Sequence, residues 1–303
     1  MDPYDDHNNE YSSQKNQRRN NLNKKKKFFE SSNKYYKGKP SELNTNKRSN
    51  AMIDVYFDTV TYFNNKKLAI KEPSLYDIGF LPIKDKDLET SLTSLTLPTY
   101  NTVYVVKNQD TFDMALDFIK EGFVRPLVLN MASEYKPGGG VASGKTAQEE
   151  CLFRRSNAFQ THPNNWYPLE ENQVIYSPEV QINKDSDYNM LPESVIDTAF
   201  VSMLAVAAIR KPRLNHGEYY DEDRELMTKK IESIFKIALM HGHDSLVLGA
   251  LGCGVFRNPP ESVANIYKLC TNLYGKYFKK IGFAILAVKE ADQENIIMFN
   301  KKF

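Results

Sequence analysis

The sequence has few cysteines, and their spacing argues against a fold built on disulfides. There are three of them, Cys151, Cys253 and Cys270, an odd number without a CxxC pair. This usage favours a reducing compartment over a secreted scaffold. No apolar run approaches the roughly 18 residues of a membrane span, and the N-terminal stretch MDPYDDHNNE lacks the apolar core of a secretory signal. We therefore expect an intracellular protein, cytoplasmic or nuclear, with no membrane contact.

Net charge is also low, but it is unevenly distributed. The 303 residues carry a formal charge of +2, whereas residues 1–48 hold 12 Lys or Arg against 6 Asp or Glu. This segment is rich in Asn, Lys and Ser and cannot bury enough apolar surface to offset chain entropy, so we predict a disordered basic tail. The run Lys24–Lys27 is typical of a nuclear-import signal or of a weak nucleic-acid contact, and equally of a solvated low-complexity tail.

Beyond the tail, the hydrophobic pattern predicts a helical extension over residues 49–101 and a larger domain over residues 102–303. In the extension, residues 51–63 repeat apolar side chains at helical spacing, and residues 64–101 contain prolines and are expected to be irregular. From residue 102 onward, buried strands alternate with amphipathic helices. This order indicates an α/β domain with a mixed, largely parallel sheet. The predicted strands are 103–106, 126–130, 174–177 (ending before Pro178), 195–206, 245–249 and 281–288, and the predicted helices are 111–121, one from about 147, 224–240 and 262–273.

A glycine-rich loop joins the strand that ends at Asn130 to a helix that opens with Gln148-Glu149-Glu150. The loop contains the triplet Gly138-Gly139-Gly140. Three consecutive glycines are costly to order, so they indicate backbone that lies close to a ligand. Two carboxylates directly after such a loop suggest acid–base chemistry on that ligand.

Two other interpretations of this loop stay open from the residues alone. Thr146 and Glu149 have the spacing of a capping box, which would explain Glu149 without catalysis; Glu150 lies about 100° further round the helix. Residues 139–146, GGVASGKT, match the Walker A pattern. A Walker loop follows its strand directly, whereas here residues 131–138 intervene, and no later strand ends in an Asp suited to magnesium.

A second glycine-rich loop, residues 249–261, follows the strand at 245–249 and contains Gly252-Cys253-Gly254. Glycines ahead of a helix N-terminus form a nest of N–H groups for a phosphate or diphosphate. Asn258 is expected to cap the following helix, with Glu261 completing the pattern. The alternative is a tight strand-to-helix turn that binds nothing.

Several stretches of the sequence, including both glycine-rich loops, resemble those of a known family. The string GGGVASGKTAQEE resembles the signature of poly(ADP-ribose) glycohydrolases, and VLNMASEYKPGGG, VIYSPEV and HGHDSLVLGALGCGVFRNPP are similar to its microbial-type branch. The resemblance covers roughly residues 50–303. It implies a macrodomain, a three-layer α/β/α sandwich, with an N-terminal helical extension.

The resemblance also implies roles for individual residues. Glu150 would be the acid that protonates the leaving ribose oxygen, and Glu149 would hold ribose hydroxyls. Asn130 would contact the distal ribose, and Phe256 would pack on the ligand. The expected catalytic residues are thus Glu150 and Glu149, and the expected substrate-binding residues are Asn130, Gly138, Gly139, Gly140, Gln148, Gly252, Cys253, Gly254, Val255 and Phe256.

The activity implied is hydrolysis of ribose–ribose O-glycosidic bonds at chain ends, with release of ADP-ribose from poly(ADP-ribose) or ADP-ribosylated macromolecules. Neither a cofactor nor a metal is expected, because His216, His241 and His243 lack a ligand partner set, and the last two are typical of a helix C-terminus. A monomer is expected. Two alternatives remain: a mono-ADP-ribosyl hydrolase acting on protein or nucleic acid, and a module that binds ADP-ribose without cleaving it.

Overall fold

The strands in the described part of the chain form one large sheet and one small hairpin. A computed structural model describes residues 45–79, 97–288 and 290–303. The strands are β1 (Ser74–Asp77), β2 (Val103–Lys107), β3 (Leu127–Met131), β4 (Gln173–Gln181), β5 (Phe200–Val206), β6 (Leu214–Asn215), β7 (Glu218–Tyr219), β8 (Ser245–Leu248) and β9 (Lys280–Ala284). The large sheet has the order β1-β4-β5-β3-β8-β9-β2, and β6 pairs with β7.

The helices lie in the connections between these strands. They are α1 (Thr45–Lys66), α2 (Thr111–Lys120), α3 (Gln148–Arg154), α4 (Glu193–Ile196), α5 (Asp221–Met240), α6 (Pro260–Tyr274) and α7 (Gln293–Asn300). Helix α2 shows why its sequence is helical. Its apolar side chains recur at helical spacing, and the Asp110 carboxylate accepts the N–H groups of Phe112 and Asp113 at its start. No helix in the described ranges is long and apolar enough to cross a membrane.

Alternating residues of the central strand β3 build two separate cores. Leu127 and Leu129 pack with helices α5, α6 and α7 on one face of the sheet. Val128 points to the other face and packs with α2 and α3. Since successive side chains of a strand face opposite sides, a sheet buried on both faces requires apolar residues throughout. The three-layer α/β/α fold predicted from the sequence is confirmed.

The sheet is largely parallel, and this places several loops together. Strands β5, β3, β8, β9 and β2 run parallel, whereas β4 and β1 are antiparallel to their neighbours. The carboxyl ends of the five parallel strands therefore lie at the same edge. Both glycine-rich loops leave the sheet at this edge, after the neighbouring strands β3 and β8. A ligand site is expected where such loops meet.

Three sequence predictions about the strands are wrong in detail. The segment 64–101 is not irregular throughout, because Ser74–Asp77 form an edge strand on β4. Strand β4 does not stop before Pro178; the missing N–H of proline is accommodated at a register shift between Ser177 and Val180. Residues 195–206 are not all strand, since the short helix α4 comes first. The helix end at His241 is confirmed, with Gly242 at φ 69°.

Helix α1 packs against the larger domain. Met52 and Phe63 are buried, and the Lys184 ammonium reaches the Asp58 carboxylate at 2.6 Å and the Thr59 hydroxyl at 2.7 Å. Residues 49–303 form one compact unit. The predicted tail, residues 1–48, lies outside the described residues except for its last four, which are helical rather than disordered.

Candidate active site

Two buried glutamates face the first glycine-rich loop. The Glu149 side chain is 3% exposed and the Glu150 side chain 8%. The Glu149 carboxylate accepts the N–H groups of Ser133, at 2.8 Å, and Gly138, at 3.1 Å. The Glu150 carboxylate accepts the N–H of Gly140 at 2.8 Å. The loop therefore holds both carboxylates in fixed positions at the first turn of α3.

The Glu149 carboxyl is shifted toward its protonated form at neutral pH. Burial and the charge of Glu150 raise the pKa of Glu149 to about 8, although the N–H groups of Ser133 and Gly138 oppose the shift. Two carboxylates in one buried site do not both ionise readily. One group can then act as an acid while the other stays anionic, which is the pairing that glycoside hydrolysis requires.

The N–H groups of the glycine triplet are all engaged within the protein. Those of Gly138 and Gly140 hold the glutamates, and that of Gly139 donates to the Lys136 carbonyl at 3.2 Å. A Cβ on Gly139 would lie 2.8 Å from Glu150 Oε1 and 3.0 Å from Glu149 Oε2. The triplet is thus glycine because the two carboxylates pack against its backbone, and its N–H groups do not point to a ligand.

The capping-box interpretation of Thr146 and Glu149 is wrong. Ala147 occupies the N-cap position of α3, and no side chain caps the helix there. The Glu149 carboxylate turns instead to the loop after β3. The Walker interpretation also fails, because residues 141–143 form a separate 3-10 helix between the glycines and α3.

Gln148 and Asn130 share the end of strand β3 but differ in their partners. The Gln148 amide accepts the Met131 N–H at 2.9 Å and donates to the Leu129 carbonyl at 2.6 Å. It is therefore hydrogen-bonded to strand β3 on both sides of Asn130. A third bond reaches Thr111. The polar atoms of Gln148 are therefore used inside the protein, and its geometry is that of a support for Asn130.

Asn130 itself has unused hydrogen-bonding capacity. Its side chain is fully buried, and its amide oxygen has no hydrogen-bond partner among the described residues. Its amide nitrogen faces the Glu149 carboxylate as a long-range donor, which lowers the pKa of that carboxyl. Buried polar atoms are rarely left unpaired, so Asn130 has the properties of a ligand contact.

Tyr167 belongs to the same region, and no sequence pattern other than the proline that follows singles it out. Its ring packs against the small cluster that contains Ala132 and Leu169. Its hydroxyl is buried and has no hydrogen-bond partner among the described residues. Burial and the charge of Glu149 raise the pKa of Tyr167, so the hydroxyl is a neutral donor. Asn130 and Tyr167 together offer unpaired groups beside the glutamates.

The second loop has the opposite character, because it presents free N–H groups. Those of Gly254, Val255 and Phe256 donate to no acceptor among the described residues. A Cβ on Gly254 would meet nothing within 4 Å, and Val255 is exposed. Such consecutive unpaired N–H groups suit an anion.

Cys253 is the member of this loop that faces inward. Its N–H donates to the Ala250 carbonyl, and its thiol lies 3.8 Å from the Leu251 carbonyl. Burial raises the pKa of the Cys253 thiol. The thiol therefore packs against the core and helps to shape the loop.

Asn258 does not cap helix α6 as the sequence predicted. The N-cap is Pro259, without a side-chain bond. The Asn258 amide instead donates to the carbonyls of Ile209, at 2.7 Å, and Gly252, at 3.1 Å, and accepts from the Tyr219 hydroxyl. Gly252, at φ 76°, has no room for a Cβ beside Asn258. This network fixes the second loop from beneath.

Phe256 is half-buried at the outer end of the second loop. The guanidinium of Arg210 lies 4.1 Å from its ring centroid, so one face of the ring is covered by a cation. Lys211 and Arg257, on either side of this contact, both adopt positive φ values, 51° and 58°. Non-glycine residues in this conformation cost about 1 kcal/mol or more and cluster at functional sites.

Comparison with solved structures agrees with this architecture. A poly(ADP-ribose) glycohydrolase from Thermomonospora curvata superposes with a TM-score of 0.68 at 23% identity, over 84% of this chain and 100% of that one. The enzyme from Deinococcus radiodurans in complex with ADP-ribose gives 0.63 at 24% identity, over 76% and 93%. At such identities the likeness shows the fold.

Sequence comparisons identify the family. Curated proteins yielded no match. The family model described as "Microbial-type PARG, catalytic domain" matches residues 5–185. The match begins well before residue 50, at which the resemblance seen in the sequence begins. It includes the glutamate pair but not the second loop. Because the model covers more than half of the 303 residues, the chain belongs to the microbial-type poly(ADP-ribose) glycohydrolase family.

Proposed function

We propose that this protein hydrolyses ribose–ribose O-glycosidic bonds at the ends of poly(ADP-ribose) chains and releases ADP-ribose. Family membership makes it a glycosidase. The observation that carries the proposal is a buried glutamate pair, Glu149 and Glu150, held by loop N–H groups beside a second loop whose N–H groups are free. The similar Thermomonospora curvata and Deinococcus radiodurans enzymes, solved with the inhibitor ADP-HPD and with ADP-ribose, support the same ligand class.

Cleavage of a ribose–ribose bond passes through an oxocarbenium-like state, which needs an acid at the leaving oxygen. We assign this role to Glu150, which accepts one N–H, from Gly140. Glu149 accepts two, and we assign it to the ribose hydroxyls with Asn130.

The diphosphate is assigned to the second loop, with Gly252 and Cys253 shaping it, Gly254 and Val255 donating N–H groups, and Phe256 packing on the ligand. The first-loop glycines then contribute by holding the glutamates and by allowing the sugar to approach the backbone. This division follows from where N–H groups are free. No protein-bound cofactor enters the proposed reaction.

The decisive test is the Glu150→Gln variant. We expect it to bind ADP-ribose with near wild-type affinity in calorimetry, since size and burial are kept. Release of ADP-ribose from automodified polymer should fall by about 10²–10⁴-fold, the usual contribution of a general acid. A Glu222→Gln variant, in an exposed position on α5, serves as the matched control. Near wild-type turnover by Glu150→Gln would sink the assignment.

The substrate class needs a parallel measurement. The wild-type protein should release ADP-ribose from polymer and leave the last protein-linked unit in place. Release from mono-ADP-ribosylated protein alone would favour the mono-ADP-ribosyl hydrolase, and binding without any release would favour the non-catalytic module.

We also propose that the enzyme is a monomer, which light scattering would test. Its basic N-terminal segment is proposed to add weak nucleic-acid affinity. A gel-shift assay with and without residues 1–44 would test this.

A further inference from the structure

The guanidinium group of Arg210 contacts both glycine-rich loops. It follows strand β5, beside β3 in the sheet. Its Nε donates to Glu134 Oε1 at 2.6 Å, and its Nη2 donates to Glu134 Oε2 at 2.9 Å. Glu134 belongs to the first loop, between strand β3 and the glycine triplet. Two parallel bonds of this kind fix both distance and orientation.

The faces of the same guanidinium lie against aromatic rings from both loops. The Phe256 ring of the second loop is 4.1 Å away, and the Tyr135 ring of the first loop is 5.2 Å away. The backbone continues the link, because the Lys211 N–H donates to the Phe256 carbonyl at 2.7 Å. The described contacts of Arg210 thus join first-loop residues 134–135 to second-loop residue 256.

The Arg210 and Glu134 side chains are 36% and 23% exposed, and an ordinary exposed ion pair contributes little. This pair differs from such a pair in its two parallel bonds and its ring contacts. Burial opposes ionisation of Glu134, but hydrogen bonds from Arg210, from its own backbone and from Tyr135, together with the Arg210 charge, lower the pKa of that carboxyl. Only arginine combines a planar two-pronged donor with faces that stack on rings; lysine would keep the charge and lose the geometry. The residue type therefore matches the task of holding two loops together.

We propose that Arg210 is a positioning residue that fixes the distance between the first glycine-rich loop, which holds the glutamates, and the second, to which the diphosphate is assigned. The inference rests on the proposed function, in which one ADP-ribose unit contacts both loops at once. The acid must reach the leaving oxygen while the diphosphate sits on the second loop. Errors in this spacing weaken the binding of a ligand that must contact both loops.

The test is a double-mutant cycle with Arg210→Ala and Glu134→Ala. Each single variant should raise the Kd for ADP-ribose and the KM for polymer by about tenfold, a change typical of coupled neighbours. The double variant should be no worse than Arg210→Ala alone. The kcat should stay within about threefold, because Ser133, Gly138 and Gly140 still hold the glutamates. Arg210→Lys should behave like Arg210→Ala.

Arg213→Ala is the matched control, since Arg213 is exposed in the same segment and its described ring contact is with Tyr220. Its Kd and KM should equal those of the wild type. The inference is overturned if Glu134→Ala binds as well as the wild type while Arg210→Ala does not, or if lysine restores binding; Arg210 would then contact the substrate as a charge. Inactivity of the wild type would overturn the proposed function, whereas an active wild type with unaffected variants would overturn only the positioning role.

Discussion

At the scale of single residues, the two glutamates are neighbours with different surroundings. Glu149 accepts two N–H groups of the first loop, from Ser133 and Gly138. Glu150 accepts one N–H and lies beside Gly139. Hydrogen bonds to a carboxylate favour its anion, which is the reason for proposing Glu149 as the anionic partner and Glu150 as the acid. In the free protein, burial nevertheless raises the pKa of Glu149 to about 8.

Activity should depend on the protonation of Glu149. The pKa of Glu149 is raised to about 8, so this carboxyl loses its proton as the pH rises through that value, and the site gains a negative charge beside the proposed acid. We expect kcat/KM for polymer to be level from about pH 6.5 to 7.5 and to fall about tenfold per pH unit above 8. Rates measured at constant ionic strength between pH 6 and 9.5 would check this. A level profile up to pH 9.5 would contradict this dependence.

The raised pKa of Glu149 also makes the stability of the protein depend on pH. The unfolded chain releases the Glu149 proton near its ordinary pKa of 4.5, whereas the native state keeps it until about 8. Between these values the native state binds more protons, so this group lowers the free energy of unfolding as the pH rises, with no further change above 8. Denaturant titrations of the wild type across this window measure the slope.

If Tyr167 contacts the ligand, its substitution should weaken ligand binding without lowering the stability of the protein. Its hydroxyl is buried and unpaired, and leaving such a group unpaired costs about 1–3 kcal/mol. Tyr167→Phe should therefore keep or raise the melting temperature while weakening ADP-ribose binding by about fivefold or more. Calorimetry and thermal unfolding measure both quantities. Tyr267→Phe is the control, because its hydroxyl is equally unpaired but lies in the core under α6; stability should rise there without loss of binding. Unchanged binding by Tyr167→Phe would exclude the contact.

At the scale of elements, the first loop is shaped by what packs against its backbone. Gly139→Ala would place a methyl group 2.8 Å from Glu150 Oε1 and 3.0 Å from Glu149 Oε2, at φ 50°. We expect kcat/KM to fall more than about 100-fold, since the acid is displaced, with a loss of about 1–2 kcal/mol in stability from the backbone conformation. Steady-state kinetics and denaturant titration give the two values.

Gly242→Ala provides the comparison. Gly242 has φ 69° and nothing within 4 Å of an added Cβ, so the substitution carries a similar backbone cost without touching the glutamates. Its stability should fall by a similar amount and its kcat/KM should not change. Equal losses of activity in both variants would show that backbone strain, rather than displacement of the carboxylates, is responsible.

The elements also show what a sequence can predict. The central strands β3 and β8 are continuous apolar runs, and the helices between them repeat apolar side chains, so local patterns suffice. Strand β1 is short and pairs with a strand that is distant in the sequence, Tyr76 with Val174 among others, which no local pattern specifies. Glu149 and Asn258 fit capping patterns, yet each bonds to loop backbone brought near by the fold. Tyr167 and Arg210 were missed for the same reason, since their partners are distant in sequence.

At the scale of the whole molecule, helix α1 supports the first loop through Arg154. This side chain is fully buried. Its Nε donates to the Met52 carbonyl of α1 at 2.9 Å, and its Nη2 donates to the Val141 carbonyl, directly after the glycine triplet, at 3.3 Å. Gly144 lies so close to the backbone of Ser49 that a Cβ would overlap it. The extension is therefore part of the structure that shapes the active site.

Two truncations should separate helix α1 from the segment before it. Removal of residues 1–66 takes away the Met52 carbonyl and leaves a buried guanidinium without that partner, which is strongly unfavourable. We expect a lower melting temperature and more than about 100-fold loss of kcat/KM for polymer. Removal of residues 1–44 leaves α1, which begins at Thr45, and should change kcat/KM less than about threefold. The family match begins at residue 5, so a large loss in the shorter truncation would instead assign residues 5–44 a part in catalysis, and wild-type activity in the longer one would show that α1 is dispensable.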